Sequence, residues 1–447
     1  MKPATSKARS FLWYQTSAVL ILNTIICFVL FNALLAMAFW GIDSYASGRM
    51  AKKIKTMIGL HQETARLFNP DGSPVDNGSR NFYQLAWVDF HAYGGLSPSY
   101  VAAVLDESYR LAERGMVYQP WVEFAEPEFH GSLVTVQNDE RNFLNRRTIN
   151  PPNLEHWPIV KIFALGGSTT FGYNVSDEHT WPTYLSTILN EQARAKSLKL
   201  HIEVVNYGRG YYYPSQETSL LLDLLKAGHR PQGVIFLDGV NSPVKDDVPE
   251  FYPRLKEQFQ NIQFAKDTQR GTSFIESIQW LPAIRLANAV GSLLSGRQPL
   301  TVAQRHSAVD FNGVRYQVNT FRQNKAISKE ICRIYAVTPM FVLQPSAVYN
   351  YNIALYRRSV PPEFLTWRAR AKDFYDAMRE DEDLIDLADL FENWGNDKKA
   401  IIDELHYSPQ FHQFLAQQIA KRIDLTKLDP SRAPLDLSAA TGSRTEN

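Results

Sequence analysis

From residue 158 onward the chain alternates short apolar runs with amphipathic stretches, and this alternation narrows its fold more than any other feature. Ile159–Leu165 (IVKIFAL), His201–Asn206 (HIEVVN), Gly233–Asp238 (GVIFLD) and Met340–Leu343 (MFVL) read as strands, with Leu384–Leu387 a weaker fifth. Trp181–Lys196, Gln216–Lys226, Gln323–Ala336 and Pro362–Arg379 read as the helices between them, and Ser408–Ile423 closes the set. Strands separated by helices imply a parallel sheet covered by helices on both faces. The expected fold class is therefore α/β: a three-layer α/β/α domain around a mostly parallel five-stranded sheet. In such sheets ligands bind outside the carboxyl ends of the strands.

Ahead of this domain lies a different texture. No charged residue occurs from Ser10 to Ile42, and Ala18–Phe39 reads AVLILNTIICFVLFNALLAMAF. About 20 apolar residues span a bilayer as a helix. Trp13, Tyr14 and Trp40 stand at the two ends, where amphipathic aromatics favour the membrane interface. A cleavable signal peptide has a shorter apolar region and a small-residue cleavage site, and Trp40-Gly41-Ile42-Asp43 is a poor one. A single retained transmembrane helix is expected. Lys2, Lys7 and Arg9 before it nearly balance Arg49, Lys52, Lys53 and Lys55 after it. The expectation is an extracytoplasmic, periplasmic catalytic domain.

The domain organisation reads as an anchor (1–44), a lead-in packing on the main domain (45–157), the main domain (158–427) and a disordered polar tail (428–447). A segment at about 243–311, rich in Gln, Trp and Phe, interrupts the alternation and suits a lid or a substrate-specific insertion; core packing of the same aromatics is the alternative. Lys and Arg (47) nearly cancel Asp and Glu (46), so nothing points to nucleic acid. Cys27, in the apolar run, and Cys332, in a helical stretch, make neither a disulfide framework nor a metal cluster. His61, His91, His130, His156, His179, His201, His229, His306 and His412 have no ligand-like spacing and read as surface or core residues, so no metal or other cofactor is expected. Asp246-Asp247 could suggest a cation site but reads rather as a solvated loop. Asn77-Gly78-Ser79 and Asn174-Val175-Ser176 match the glycosylation pattern.

Four segments fall where strands are expected to end. Gly166-Gly167-Ser168-Thr169-Thr170-Phe171-Gly172 follows the first. A phosphate loop would need a Lys after its second Gly, and a Gly-x-Ser-x-Gly elbow would need Gly at Thr170. By itself the segment also fits an ordinary strand-to-helix turn. Asn206-Tyr207-Gly208-Arg209-Gly210-Tyr211 follows the second strand, where a Gly N–H suits an oxyanion and equally a turn. Asn241, after the third, offers a side-chain amide and is a common turn residue. Asp403-Glu404-Leu405-His406 precedes Ser408-Pro409, a helix cap and first turn. Asp-x-x-His is a common pattern alone; its place before a helix with apolar Phe411, Leu415, Ile419 and Ile423 sets a base beside the sheet edge.

The order Ser, Gly, Asn, Asp/His, each after a sheet element, resembles the SGNH (GDSL-like) hydrolase family over roughly 158–427, and more weakly from Tyr118 (YQPWVEFAEPEFHG). The resemblance implies a flavodoxin-like fold and a serine hydrolase. Ser168 would be the nucleophile, His406 its base and Asp403 the residue that orients His406. Ser168 N–H, Gly210 N–H and the Asn241 amide would form the oxyanion hole. This chain departs from the family at Gly167, where an Asp is usual. Its Asn206 to Gly210 spacing is one residue short, which leaves Gly208 as the alternative to Gly210, and Ser242 follows Asn241 where Asp is common. An O-acyl, in particular acetyl, esterase on a cell-surface carbohydrate is the expected function, with an acylated small molecule or glycan and the membrane as partners. O-acyl transfer by the same site, and a non-catalytic membrane-tethered scaffold, are the alternatives. Oligomeric state is not legible.

Overall fold

The computed structural model describes residues 6–45, 88–242, 281–283, 286–287, 312–356, 360, 362–395, 398–428 and 430–431. Most of the expected insertion at 243–311 and of the tail lies outside the described residues, as do Asp246-Asp247, Asn77-Gly78-Ser79, His61 and His306. Two compact units divide the chain, Met1–Ala65 with Phe251–Ser307 and Arg66–Glu250 with Ala308–Asn447.

In the first unit α1 (Ser6–Tyr45) is one continuous helix. Its span Tyr14–Trp40 has 27 residues and a mean hydropathy of 2.5. At about 1.5 Å per residue it reaches ~40 Å, enough to cross a ~30 Å hydrocarbon core. A polar group in hydrocarbon has no water to bond, so it must find a partner within the protein. Thr24 Oγ1 donates to Leu20 O at 2.8 Å and Asn32 Nδ2 to Phe28 O at 2.9 Å, while Asn32 Oδ1 accepts the Ala283 N–H at 3.0 Å.

The second unit begins, among described residues, with a single 3-10 turn at Phe90–Tyr93 and then α2 (Pro98–Glu113), capped by Ser97 with proline at its first position. β1 (Val117–Gln119) and β2 (Glu123–Ala125) form an antiparallel hairpin. β3 (Phe129–His130), β4 (Thr135–Asn138) and β5 (Leu144–Arg146) form a short meander. Next come β6 (Ile159–Gly166), α3 (Ser168–Phe171), α4 (Trp181–Ala195), β7 (His201–Asn206), α5 (Pro214–Lys226) and β8 (Gly233–Asp238). Then follow α6 (Asn312–Ile334), β9 (Thr338–Leu343), α7 (Ala347–Asn350), α8 (Pro362–Met378), β10 (Leu384–Asp386), α9 (Leu390–Trp394) and α10 (Pro409–Ala420).

The main sheet has the order β10-β9-β8-β6-β7-β5-β4-β3. β6 to β10 are mutually parallel, and they are the five strands expected from the sequence. Counted one to five along the chain, their spatial order is 2-1-3-4-5, the flavodoxin-like doubly wound arrangement. The expected strand number needs correcting: β5, β4 and β3 extend the sheet antiparallel beyond β7, making eight strands among the described residues. Each is two to four residues long and too short for an alternation to show.

β6 and β8 are buried along nearly their whole length, as expected of strands covered on both faces. On one face Leu185 and Leu189 of α4 and Phe411, Leu415 and Ile419 of α10 pack with Val160, Ile162 and Ala164. On the other, α5 packs against β6 and β8, with α6 against α5 and α8. The strand order reverses between β6 and β8, so their carboxyl ends open onto the switch point.

Candidate active site

Ser168 is the first residue of α3, directly beyond the carboxyl end of β6. The turn that delivers it depends on glycine. Gly166 has φ of 152°, and a Cβ there would lie 2.1 Å from Thr170 Oγ1 and 2.8 Å from Leu237 O. α3 lasts one turn and stops at Gly172, whose φ is 83°. Side chains from neighbouring strand ends fix this turn. Thr169 Oγ1 donates to Gln344 Oε1 beyond β9 at 2.9 Å. Asn206, the last residue of β7, donates through Nδ2 to Thr170 O at 2.8 Å and accepts the Gly208 N–H at 3.0 Å. Ser168 itself is half-buried, and its N–H, at the first helical position, has no acceptor within α3.

Asn241 lies three residues beyond β8 and is also half-buried. Its Nδ2 donates to Tyr212 O at 2.8 Å. A Cβ built on Gly167 would lie 2.6 Å from that same Nδ2 and 3.3 Å from Tyr212 O. The Asn241 amide therefore sits against the backbone that precedes Ser168, and glycine at 167 has a physical reason: any side chain there would occupy the space of this amide.

Asp403 and His406 belong to a tight loop closed by an antiparallel bridge between Ile401 and Tyr407. His406 Nδ1 lies 2.7 Å from Asp403 Oδ2. Asp403 Oδ1 accepts the N–H groups of Leu405 and His406, both at 2.8 Å, and Oδ2 also accepts Asn174 Nδ2 at 2.8 Å. The Asp403 side chain is 10% exposed and that of His406 18%. Burial pushes the Asp403 carboxyl up, but the opposing charge and hydrogen bonding of His406 and the loop N–H groups prevail and hold it below the usual range. With Nδ1 committed to Asp403, the chemistry left to the imidazole is at Nε2. Downstream, Ser408 Oγ accepts the Phe411 N–H and starts α10 as its cap.

The residues after α3 link the turn that bears Ser168 to the Asp403–His406 loop. Tyr173 N donates to Ser168 O at 3.2 Å, and its ring lies tilted on the His406 ring with centroids 5.4 Å apart. Asn174, next along the chain, bonds Asp403. Among the described residues no hydrogen bond joins the Ser168 hydroxyl to His406; such contacts are often long in unliganded sites.

Gly210 departs from expectation. Its N–H donates to Glu126 Oε1 at 2.6 Å, and the same oxygen accepts the Tyr173 hydroxyl at 2.7 Å. Gly208, the alternative, gives its N–H to Asn206 and approaches α3 so closely that a Cβ would lie 2.5 Å from Phe171 N. From sequence, Glu126, Tyr173, Asn174 and Asn206 carry no site role; Asn174 stands out only as a glycosylation match and Asn206 only as the start of the spacing to Gly210. Glu126 lies in the stretch YQPWVEFAEPEFHG, where the resemblance is weaker, and nothing local marks it as 2% exposed. Of the other histidines, His412 is fully buried and accepts the Trp181 N–H at 3.2 Å; burial, with the nearby imidazole of His406, holds it down to about 3. Cys332 is buried, which pushes its thiol up to about 12.

No protein-family model matches the chain, and no curated protein matches it. Among solved structures it is similar to a putative lipolytic protein of the G-D-S-L family from Desulfitobacterium hafniense, at 16% identity and a TM-score of 0.30, over 59% of this chain and 99% of that one. It is similar to the psychrotrophic esterase EstA from a Pseudoalteromonas species, at 10% identity and a TM-score of 0.29, over 58% and 94%. A member of the G-D-S-L lipolytic family from Veillonella parvula gives 12% identity and a TM-score of 0.30, over 59% and 97%. At these identities and scores the likenesses add nothing to what the strand order and the residues themselves establish.

Proposed function

We propose that the chain is a membrane-anchored serine hydrolase of the SGNH (GDSL-like) type that cleaves O-acyl esters. The observation that carries this reading is the Asp403–His406 pair, hydrogen-bonded at 2.7 Å and joined through Tyr173 and Asn174 to the turn that bears Ser168. A one-turn helix at the switch point of a doubly wound sheet, with an Asn amide beside it, suits a nucleophile at the sheet edge and a donor for the negative charge it creates.

In the proposed reaction Ser168 Oγ attacks the acyl carbonyl while His406 Nε2 takes its proton. Asp403 holds the imidazole in the tautomer that presents Nε2 and stabilises the imidazolium. The carbonyl oxygen becomes an oxyanion facing the Ser168 N–H and Asn241 Nδ2. Collapse expels the alcohol, which receives its proton from His406 and leaves an acyl-Ser168 ester. Water, deprotonated by His406, then attacks that ester; the acid departs and Ser168 regains its proton. The acyl group is proposed to be acetyl and the alcohol a cell-surface carbohydrate, with α1 as the anchor and the catalytic domain on the extracytoplasmic side.

The test is product release. Purified protein is offered p-nitrophenyl acetate and acetylated oligosaccharides beside Ser168→Ala. Acetate release by the wild type alone supports the reading; equal background rates from both proteins would refute it.

A further inference from the structure

Glu126 follows β2 and is 2% exposed, yet it is neither on the sheet nor in the Asp403–His406 loop. One of its oxygens, Oε1, receives the Gly210 N–H and the Tyr173 O–H together. The other, Oε2, is buried without a hydrogen-bond partner among the described residues. A buried carboxylate with one empty oxygen is costly and persists where its other contacts require it. Those contacts join three elements. Gly210 belongs to the loop after β7, Tyr173 follows α3, and the Tyr173 ring lies on His406. The spacing at Gly210 fits the same role: a Cβ there would lie 2.3 Å from the Tyr173 hydroxyl and 2.9 Å from Glu126 Oε1. Gly210 is glycine because these two groups fill its side-chain space.

We infer that Glu126 is a positioning residue: it withdraws the Gly210 N–H from the oxyanion hole and uses it, with the Tyr173 hydroxyl, to seat Tyr173 beneath His406. The inference rests on the serine-hydrolase reading and sharpens it. A backbone N–H carries one hydrogen, and one directed at Glu126 Oε1 at 2.6 Å is not directed at an ester oxyanion. The hole then works with two donors, the Ser168 N–H and Asn241 Nδ2.

The experiment uses the full-length chain in detergent, with p-nitrophenyl acetate kinetics and fluorophosphonate labelling of wild type, Glu126→Gln, Glu126→Ala and Tyr173→Phe. Glutamine retains an oxygen acceptor at Oε1, whereas alanine does not. Glu126→Ala is expected to lower kcat by about 10- to 100-fold with KM within about threefold, because the base is misplaced and binding is not. Tyr173→Phe falls in the same direction, and Glu126→Gln stays within about threefold of wild type. A rise in kcat on removing Glu126 would overturn the inference, because Glu126 would then only be blocking a competent third donor. So would equal impairment of the Gln and Ala variants, or an effect on KM alone. Wild type that fails to label refutes the hydrolase reading and this inference with it; wild type that labels beside unimpaired Glu126 variants refutes this inference alone.

Discussion

Adding one methyl group at Gly167 is a sharp test of the proposed oxyanion hole. The backbone there has φ of −78°, so alanine introduces no dihedral strain. What it does introduce is a Cβ 2.6 Å from Asn241 Nδ2, where ordinary contact begins at 3.4 Å. Asn241 must retreat by most of an ångström, and its 2.8 Å bond to Tyr212 O lengthens with it. The lost hydrogen bond costs about 1 kcal/mol of stability. The displaced donor costs more in catalysis: removing one oxyanion donor is typically worth ~2.7–4 kcal/mol, or about 10²- to 10³-fold in kcat. Gly167→Ala is therefore expected to lose about 10²-fold in kcat on p-nitrophenyl acetate while melting only a little below wild type. Gly167→Asp, which puts a larger side chain in the same space, is expected to do worse. Asn241→Ala supplies the comparison, and combining it with Gly167→Ala adds little because both act on one amide. Full activity in Gly167→Ala, within about threefold of wild type, would refute the reasoning.

Asp403→Asn keeps the shape of the loop but offers an amide to His406 Nδ1; kcat is expected to fall by up to about 10⁴-fold, measured by ester hydrolysis near neutral pH. A second expectation concerns stability. Glu217 of α5 and Asp238, the last residue of β8, are buried together, and burial raises both carboxyls. A carboxyl raised in the folded state gives stability that is full below the unfolded carboxylate range and lost as pH rises through its folded value. The melting temperature of wild type relative to that of Asp238→Asn should therefore decline as pH rises from the ordinary carboxylate range towards neutrality.

The parallel sheet was legible because its strands are apolar on both faces, so IVKIFAL and GVIFLD stand out from the helices around them. β7 and β8 have the bounds read from sequence, and α6 begins eleven residues earlier than the helix expected at Gln323. The three antiparallel strands were not legible. β5 joins the sheet through one residue pair, Arg146 with Asn206, and that contact is decided by tertiary structure. Arg146 itself is buried against Asp177, with Nε 2.6 Å from Oδ1, a partner 31 positions away that no local pattern announces. At the candidate site, the Asp-x-x-His spacing put Asp403 and His406 within reach because three residues of loop fold back on one carboxylate. The residues that link this loop to Ser168 were silent. Tyr173 and Asn174 look like any turn, and Asn174 sits in a glycosylation pattern although its amide is committed to Asp403. Gly210 carried a signal that invited one explanation, a bare N–H, where the structure offers another, space for Tyr173 and Glu126.

The central claim is that Ser168 is the nucleophile, activated by His406. The most direct measurement is intact-mass and peptide mapping of the full-length chain after exposure to a fluorophosphonate. The account predicts a single adduct on Ser168 in wild type, none in Ser168→Ala and greatly slowed labelling in His406→Ala. An adduct on another residue, or a Ser168 that stays unmodified while the protein is folded, would contradict it.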